Sequence, residues 1–122
     1  MVARDTSGRL VGLATFQPSH AMDRCELVTI DAGISRQGIG SQLLTQVENA
    51  ARAVGCKKIW LITTNDNTDA AAFYTRRGYR LVAVHLDALD ESRRLKPSIP
   101  TIGDRGIPLR DEWEFEKDLS IR

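Results

Sequence analysis

The sequence predicts an α+β fold, an α/β mixed sheet, on three observations. A β-branched strand at 25–31 leads through a glycine-punctuated segment into a strongly amphipathic helix. A continuous apolar run at 57–63 follows that helix, the order of a right-handed βαβ unit with parallel strands. Ahead of this unit, residues 1–16 carry the pattern of a hairpin.

The hairpin strands are expected at 1–4 and 9–16, around the turn chemistry of Asp5-Thr6-Ser7-Gly8, with Pro18 ending the second strand. Residues 17–24 read as a polar loop. The helix shows Ile39, Leu43, Leu44, Val47, Ala50, Ala51 and Val54 on one face, with Gln42, Gln46, Glu48, Asn49 and Arg52 mostly on the other. Gly55 stands where a C-terminal cap belongs. Asn65–Asp69 is a loop rich in N-cap residues, followed by a short helix at about 68–77 that stops at Gly78. Strands are expected at 79–86 and 110–119. The stretch between them, 87–109, holds three prolines and two glycines and reads as a long functional or mobile excursion.

Composition narrows the function classes. The 122 residues are 42% hydrophobic and 27% charged, which suits one globular domain spanning 1–122. A formal net charge of +1 gives no electrostatic reason to expect nucleic acid or an acidic membrane. No apolar run approaches the ~20 residues that span a bilayer, and Arg4, Asp5 and Arg9 replace the apolar core of a signal peptide. The expectation is a soluble cytoplasmic protein. Cys25 and Cys56 match no metal or redox spacing, so no metal is expected and both are read as reduced thiols.

Chemistry concentrates at two places. Gly38-x-Gly40 opens the strong helix directly after a strand. First-turn amides have no intrahelical acceptor, the helix dipole favours an anion there, and glycine lets backbone approach a phosphate closely. Ser35–Ser41 is therefore a candidate diphosphate cradle. A Rossmann fingerprint fails for want of its third glycine and closing acid, and a P-loop for want of Gly-Lys-Ser/Thr. The second place is Asn67-x-x-Ala70-x-x-Phe73-Tyr74-x-x-x-Gly78-Tyr79, where Ala70, Phe73 and Tyr74 share one side of a short helix.

In this order and separation the two features resemble the GNAT family of N-acetyltransferases. Ser35-Arg36-Gln37-Gly38-Ile39-Gly40 corresponds to the family's Gln/Arg-x-x-Gly-x-Gly/Ala, and Asn67, Ala70, Tyr74, Gly78 and Tyr79 to its downstream signature. The resemblance covers residues 1–86 and extends to 110–119 as the final strand; the charge-rich close at 107–119 is similar to that of uncharacterised bacterial members. It implies a GNAT acyl-CoA N-acyltransferase fold and acetyl-CoA as co-substrate. It also implies direct acetyl transfer to a primary amine. Thr29 and Ile30, beside Leu27 and Val28, would pair with the pantetheine arm where the strand diverges from its parallel neighbour. Amides of Arg36, Gln37, Gly38, Ile39, Gly40 and Ser41 would hold the diphosphate. Ser35 departs from the long polar side chain usual there.

By the same resemblance Tyr74 is the candidate general acid, and Asn67 orients the cofactor arm or caps the helix. Glu26 is the candidate base and Asp31 a weaker one; His20 and His85 sit in no motif. Arg93, Arg94 and Lys96 would suit an acidic group on the acceptor, against the plainer reading of a solvated basic face. The family ordinarily begins with a strand and two helices that are lacking here. A shortened chain, a minimal member completed as a homodimer, and a degenerate acyl-CoA-binding module all fit.

Overall fold

The computed structural model describes residues 2–4, 10–18, 24–32 and 38–120. The expected Asp5–Gly8 turn, His20, Ser35, Arg36 and Gln37 lie outside the described residues. The chain divides into two compact units, Met1–Trp60 with Asp118–Arg122, and Leu61–Lys117.

In the first unit, strands β1 (Val2–Arg4), β2 (Leu10–Pro18), β3 (Arg24–Ala32) and β4 (Lys58–Thr64) follow one another in sheet order, β4 continuing into the second unit. β1 and β2 are antiparallel, as are β2 and β3; β3 and β4 are parallel, as the βαβ order predicts. Pro18 does not end β2 early: it is the last strand residue, opposite Cys25. The parallel register runs Arg24↔Lys58, Cys25↔Ile59 and Glu26↔Trp60, and so ends well before β3 does.

Helix α1 (Ile39–Ala53) packs on β2 and β3 through the predicted face. Leu43, Val47 and Ala51 are 0% exposed and Leu44 is 1% exposed, and they meet buried Ala14, Cys25, Leu27 and Ile59 in one core. Two positions differ from the pattern. Val54 is exposed because the helix has already ended, and Glu48, expected on the solvent face, is buried. The end is a Schellman motif: Gly55 N–H donates to Arg52 O at 3.0 Å and Cys56 N–H to Ala51 O at 2.9 Å. Leu119 N–H donates to Lys57 O, and Arg52 Nε to Leu119 O, tying the final residues into this unit.

In the second unit the strand order is β4-β6-β5, with β5 (Arg80–His85) antiparallel to β6 (Glu112–Asp118). Helix α2 (Thr68–Arg76) is capped by Asn67, whose Oδ1 accepts from Ala70 N at 3.1 Å. It closes on the same motif as α1: Gly78 N–H donates to Thr75 O and Tyr79 N–H to Tyr74 O.

The excursion is more ordered than expected. It contains a helix, α3 (Ala88–Leu95), and one 3₁₀ turn at Asp104–Gly106. Sequence periodicity misses α3 because its apolar side is thin: Leu89 alone is buried among its residues. Long-range polar contacts hold the rest. Asn65 donates to Pro108 O and accepts from the amides of Arg110 and Asp111. Asp66 accepts from Thr64 Oγ1 and Asp104 N. Only glycine fits at 103, because a Cβ there would lie 2.2 Å from Asp66 Oδ2.

Candidate functional site

The first unit carries the cradle. Gly38 is the N-cap of α1 at φ 74°, ψ 5°, the left-handed conformation that glycine takes without a steric penalty. The first helical bond runs from Gln42 N–H to Gly38 O at 3.0 Å. Helix geometry therefore leaves the Ile39 and Gly40 amides with no carbonyl one turn behind them. Gly38 has no side chain to cap this end, and the first turn has no acidic residue to neutralise the dipole. Ile39 is buried and anchors the turn in the core, while Gly38 is exposed and Gly40 and Ser41 are half-exposed. Ser41, Gln42, Thr45 and Gln46 line a shallow open depression of about 360 Å³ on the outer flank.

β3 runs up to this turn. Leu27 is buried, Ile30 half-buried and Val28 51% exposed. The side chains of Thr29 and Asp31 lie outside the described residues. Half-buried Glu26 stands opposite Gln17 on β2 and Trp60 on β4, with the Arg24 guanidinium 5.0 Å from the Trp60 ring. Cys25 is free and buried; burial, then its neighbour Cys56, push its thiol up to about 11, so it stays protonated and unreactive at neutral pH.

The second unit carries Tyr74. Its ring is 5.2 Å from Phe73, 5.4 Å from Tyr79 and 6.3 Å from Phe115, the first two contacts edge-on. Burial pushes its hydroxyl up to about 12. The spacing Tyr74-x-x-x-Gly78-Tyr79 now has a local physical meaning. It sets residues C3, C′ and C″ of the Schellman motif, and the Tyr74–Tyr79 contact is the apolar contact that accompanies such a cap. At the start of α2, Asp66, Asn67, Thr68, Asp69, Asp104 and Arg105 surround a cavity of about 240 Å³. Asp66 is buried, which alone would raise its pKa; bonds from Thr64, Asp104 and its own backbone outweigh this and hold it below its ordinary value.

Arg93, Arg94 and Lys96 do not converge on one basic group. Arg93 is spent on the excursion itself, donating to Ile99 O, Pro100 O and Leu109 O and pairing with Asp90 at 2.6 Å. Arg94 pairs with Glu91 at 3.2 Å on the surface, and Lys96 is exposed beyond the helix end. The i,i+3 pairing of Asp90 with Arg93 was the available signal for a helix here. His85 Nε2 lies 3.1 Å from Glu114 Oε1 on neighbouring strands. Among the described residues no group of three His, Cys, Asp or Glu could hold a metal ion. No helix among them is long and apolar enough to cross a membrane.

A mixed sheet whose β3 leads into a glycine-opened helix, with parallel β4 next in line, is the architecture of the acyl-CoA N-acyltransferases. The model of the Acetyltransferase (GNAT) family matches residues 1–79, and the chain belongs to that family. The Bacillus subtilis (strain 168) protein YdhI, described as uncharacterized, is 44% identical over 115 residues, 94% of this chain and 71% of YdhI. A GNAT family acetyltransferase from Elizabethkingia anophelis, solved with acetyl-CoA bound, superposes with a TM-score of 0.82 at 22% identity, over 96% of this chain and 73% of that one. A Bacillus subtilis acetyltransferase solved with CoA gives a TM-score of 0.77 at 23% identity, over 90% and 70% of the two chains.

Proposed function

We propose that the chain binds acetyl-CoA and transfers its acetyl group directly to a primary amine, residues 1–122 serving as one N-acetyltransferase domain. The observation that carries this reading is the start of α1: a left-handed glycine, Gly38, as N-cap, and no acid in the first turn. Amides of Arg36 to Ser41 would hold the diphosphate. The backbone of Thr29 and Ile30, past the last parallel pair at Glu26↔Trp60, would receive the pantetheine arm.

Tyr74 acts on the leaving sulfur. With its pKa at about 12, against ~8.5 for a thiol, the phenol keeps its proton and donates a hydrogen bond as charge develops, rather than handing the proton over. Glu26 accepts the proton that the amine must lose, directly or through a water. Asn67, with Oδ1 spent on the cap, has Nδ2 left for the cofactor arm. A second reading, a non-catalytic acyl-CoA-binding module, is favoured by the burial of Tyr74 and by Ser35 in place of a long polar residue.

Thiol release from acetyl-CoA with a panel of primary amines separates the two. Tyr74→Phe should slow turnover by about 10–100-fold, the worth of a hydrogen bond to a charged group, with CoA affinity nearly unchanged by calorimetry. Unchanged turnover removes Tyr74 from the mechanism, and no turnover with any amine, despite CoA binding, selects the binding module.

A further inference from the structure

The residues that lead from β4 into the first turn of α2 are gripped by one segment. Asn65 Nδ2 donates to Pro108 O at 2.8 Å, and its Oδ1 accepts from Arg110 N and Asp111 N, each at 3.0 Å. Asp66 Oδ2 accepts from Asp104 N at 3.0 Å. Arg105 donates to Thr68 Oγ1 at 2.6 Å and to both carboxylate oxygens of Asp69 at 3.1 Å. Of the five side chains from Asn65 to Asp69, four therefore bind the 103–111 segment. Asn67 is the exception. Among the described residues its side chain bonds only to Ala70 N, through Oδ1, which leaves Nδ2 uncommitted.

This grip carries costs that a plain connection avoids. Asp66 is 8% exposed, so a carboxylate has been taken out of water. Gly103 has an ordinary negative φ of −101°, so glycine is needed there for space alone, its α-carbon lying against the Asp66 carboxylate. Arg105 takes φ 57°, the left-handed region in which a side chain is strained, and its exposed pair with Asp69 contributes little in return. Such departures gather where geometry has to be held for function. We propose that Asp66 is a positioning residue for acetyl transfer: by fixing the 103–106 turn against Asn65–Asp69 it sets the direction of the Asn67 carboxamide. This rests on the reading that Asn67 Nδ2 meets the cofactor arm. Asp66 then acts through Asn67 without touching substrate, and the excursion is the scaffold for that contact. A displacement of about 1 Å in such a contact can slow a reaction by ~100-fold.

Steady-state kinetics with acetyl-CoA and the best amine of the panel, beside CoA calorimetry, provides the test. Asp66→Ala removes the bond to Asp104 N, and Gly103→Ala forces the two turns apart without removing a polar group. Each should lower kcat about tenfold and change CoA affinity by less than about threefold. Asp66→Asn should restore most of the rate, because a carboxamide can accept from Asp104 N while donating to Thr64 Oγ1. In an Asn67→Ala background, Asp66→Ala should slow turnover by less than about twofold further, because the route it acts through is already cut. Should the Asp66→Ala chain fail to fold, Arg105→Gln at an exposed side chain takes its place, with an expected loss of about threefold that also disappears beside Asn67→Ala. An unchanged kcat in these variants overturns the inference. An equal loss with and without Asn67 overturns it as well, because the grip is then merely structural. A native chain that transfers acetyl to no amine overturns the underlying reading, and this inference with it.

Discussion

Helices α1 and α2 close on the same Schellman cap but open on different N-termini. At α1, Gly38 supplies a left-handed turn and, being glycine, has no side chain to cap the first amides. At α2, Asn67 caps the first turn through Ala70 N, and Asp69 adds a negative charge. A cap and an anion compete for the same amides and the same dipole. The capped helix is finished as a structural element, while the glycine-opened one would keep its N-terminus for the diphosphate that the proposed function requires. Their buried faces differ too. α1 rests on Leu43, Leu44 and Val47, all nearly inaccessible, whereas Tyr74 alone is buried among α2 residues.

The largest expected effect tests those faces. Leu43→Ala should cost about 2–5 kcal/mol in urea unfolding, because it leaves a cavity where α1 meets β2 and β3. A loss below about 1 kcal/mol would show that α1 is not the main support of its unit. Gly40→Asp sharpens the contrast at the N-termini. A carboxylate in the first turn should hold or raise the melting temperature and weaken CoA binding at least tenfold by calorimetry, since it repels the diphosphate. Equal CoA affinity would detach the cradle from α1. Asn67→Ala is the smallest change. It should cost about 1 kcal/mol of stability and weaken CoA by only about threefold, and a tenfold or greater loss of affinity would make Asn67 chiefly a ligand contact.

Much of α1 was legible because its information is local. Ile39, Leu43, Leu44, Val47 and Ala51 fall on one face by spacing alone, and the caps at Gly55 and Gly78 need only a residue at home in left-handed backbone. Tyr74, Gly78 and Tyr79 were legible as a motif, but their cap geometry was hidden until the bonds from Gly78 and Tyr79 were seen. For Arg93 the sequence left two readings, an acceptor contact and a solvated face, and neither foresaw its bonds within the excursion. Its partners Ile99, Pro100 and Leu109 are carbonyls, which carry no side-chain signature. Helix α3 was missed for a related reason, since one buried leucine is too little periodicity to find.

The sequence by itself determined the βαβ order, the face of α1 and the glycine opening at Gly38, because each depends on residues a turn or less apart and on backbone preference. Tertiary structure alone decided that Asn65 and Asp66 would staple the 103–111 segment and that Glu48 would be buried. Those outcomes depend on hydrogen bonds and packing between residues distant in the chain, whose free energy exists only once the strands and loops have met.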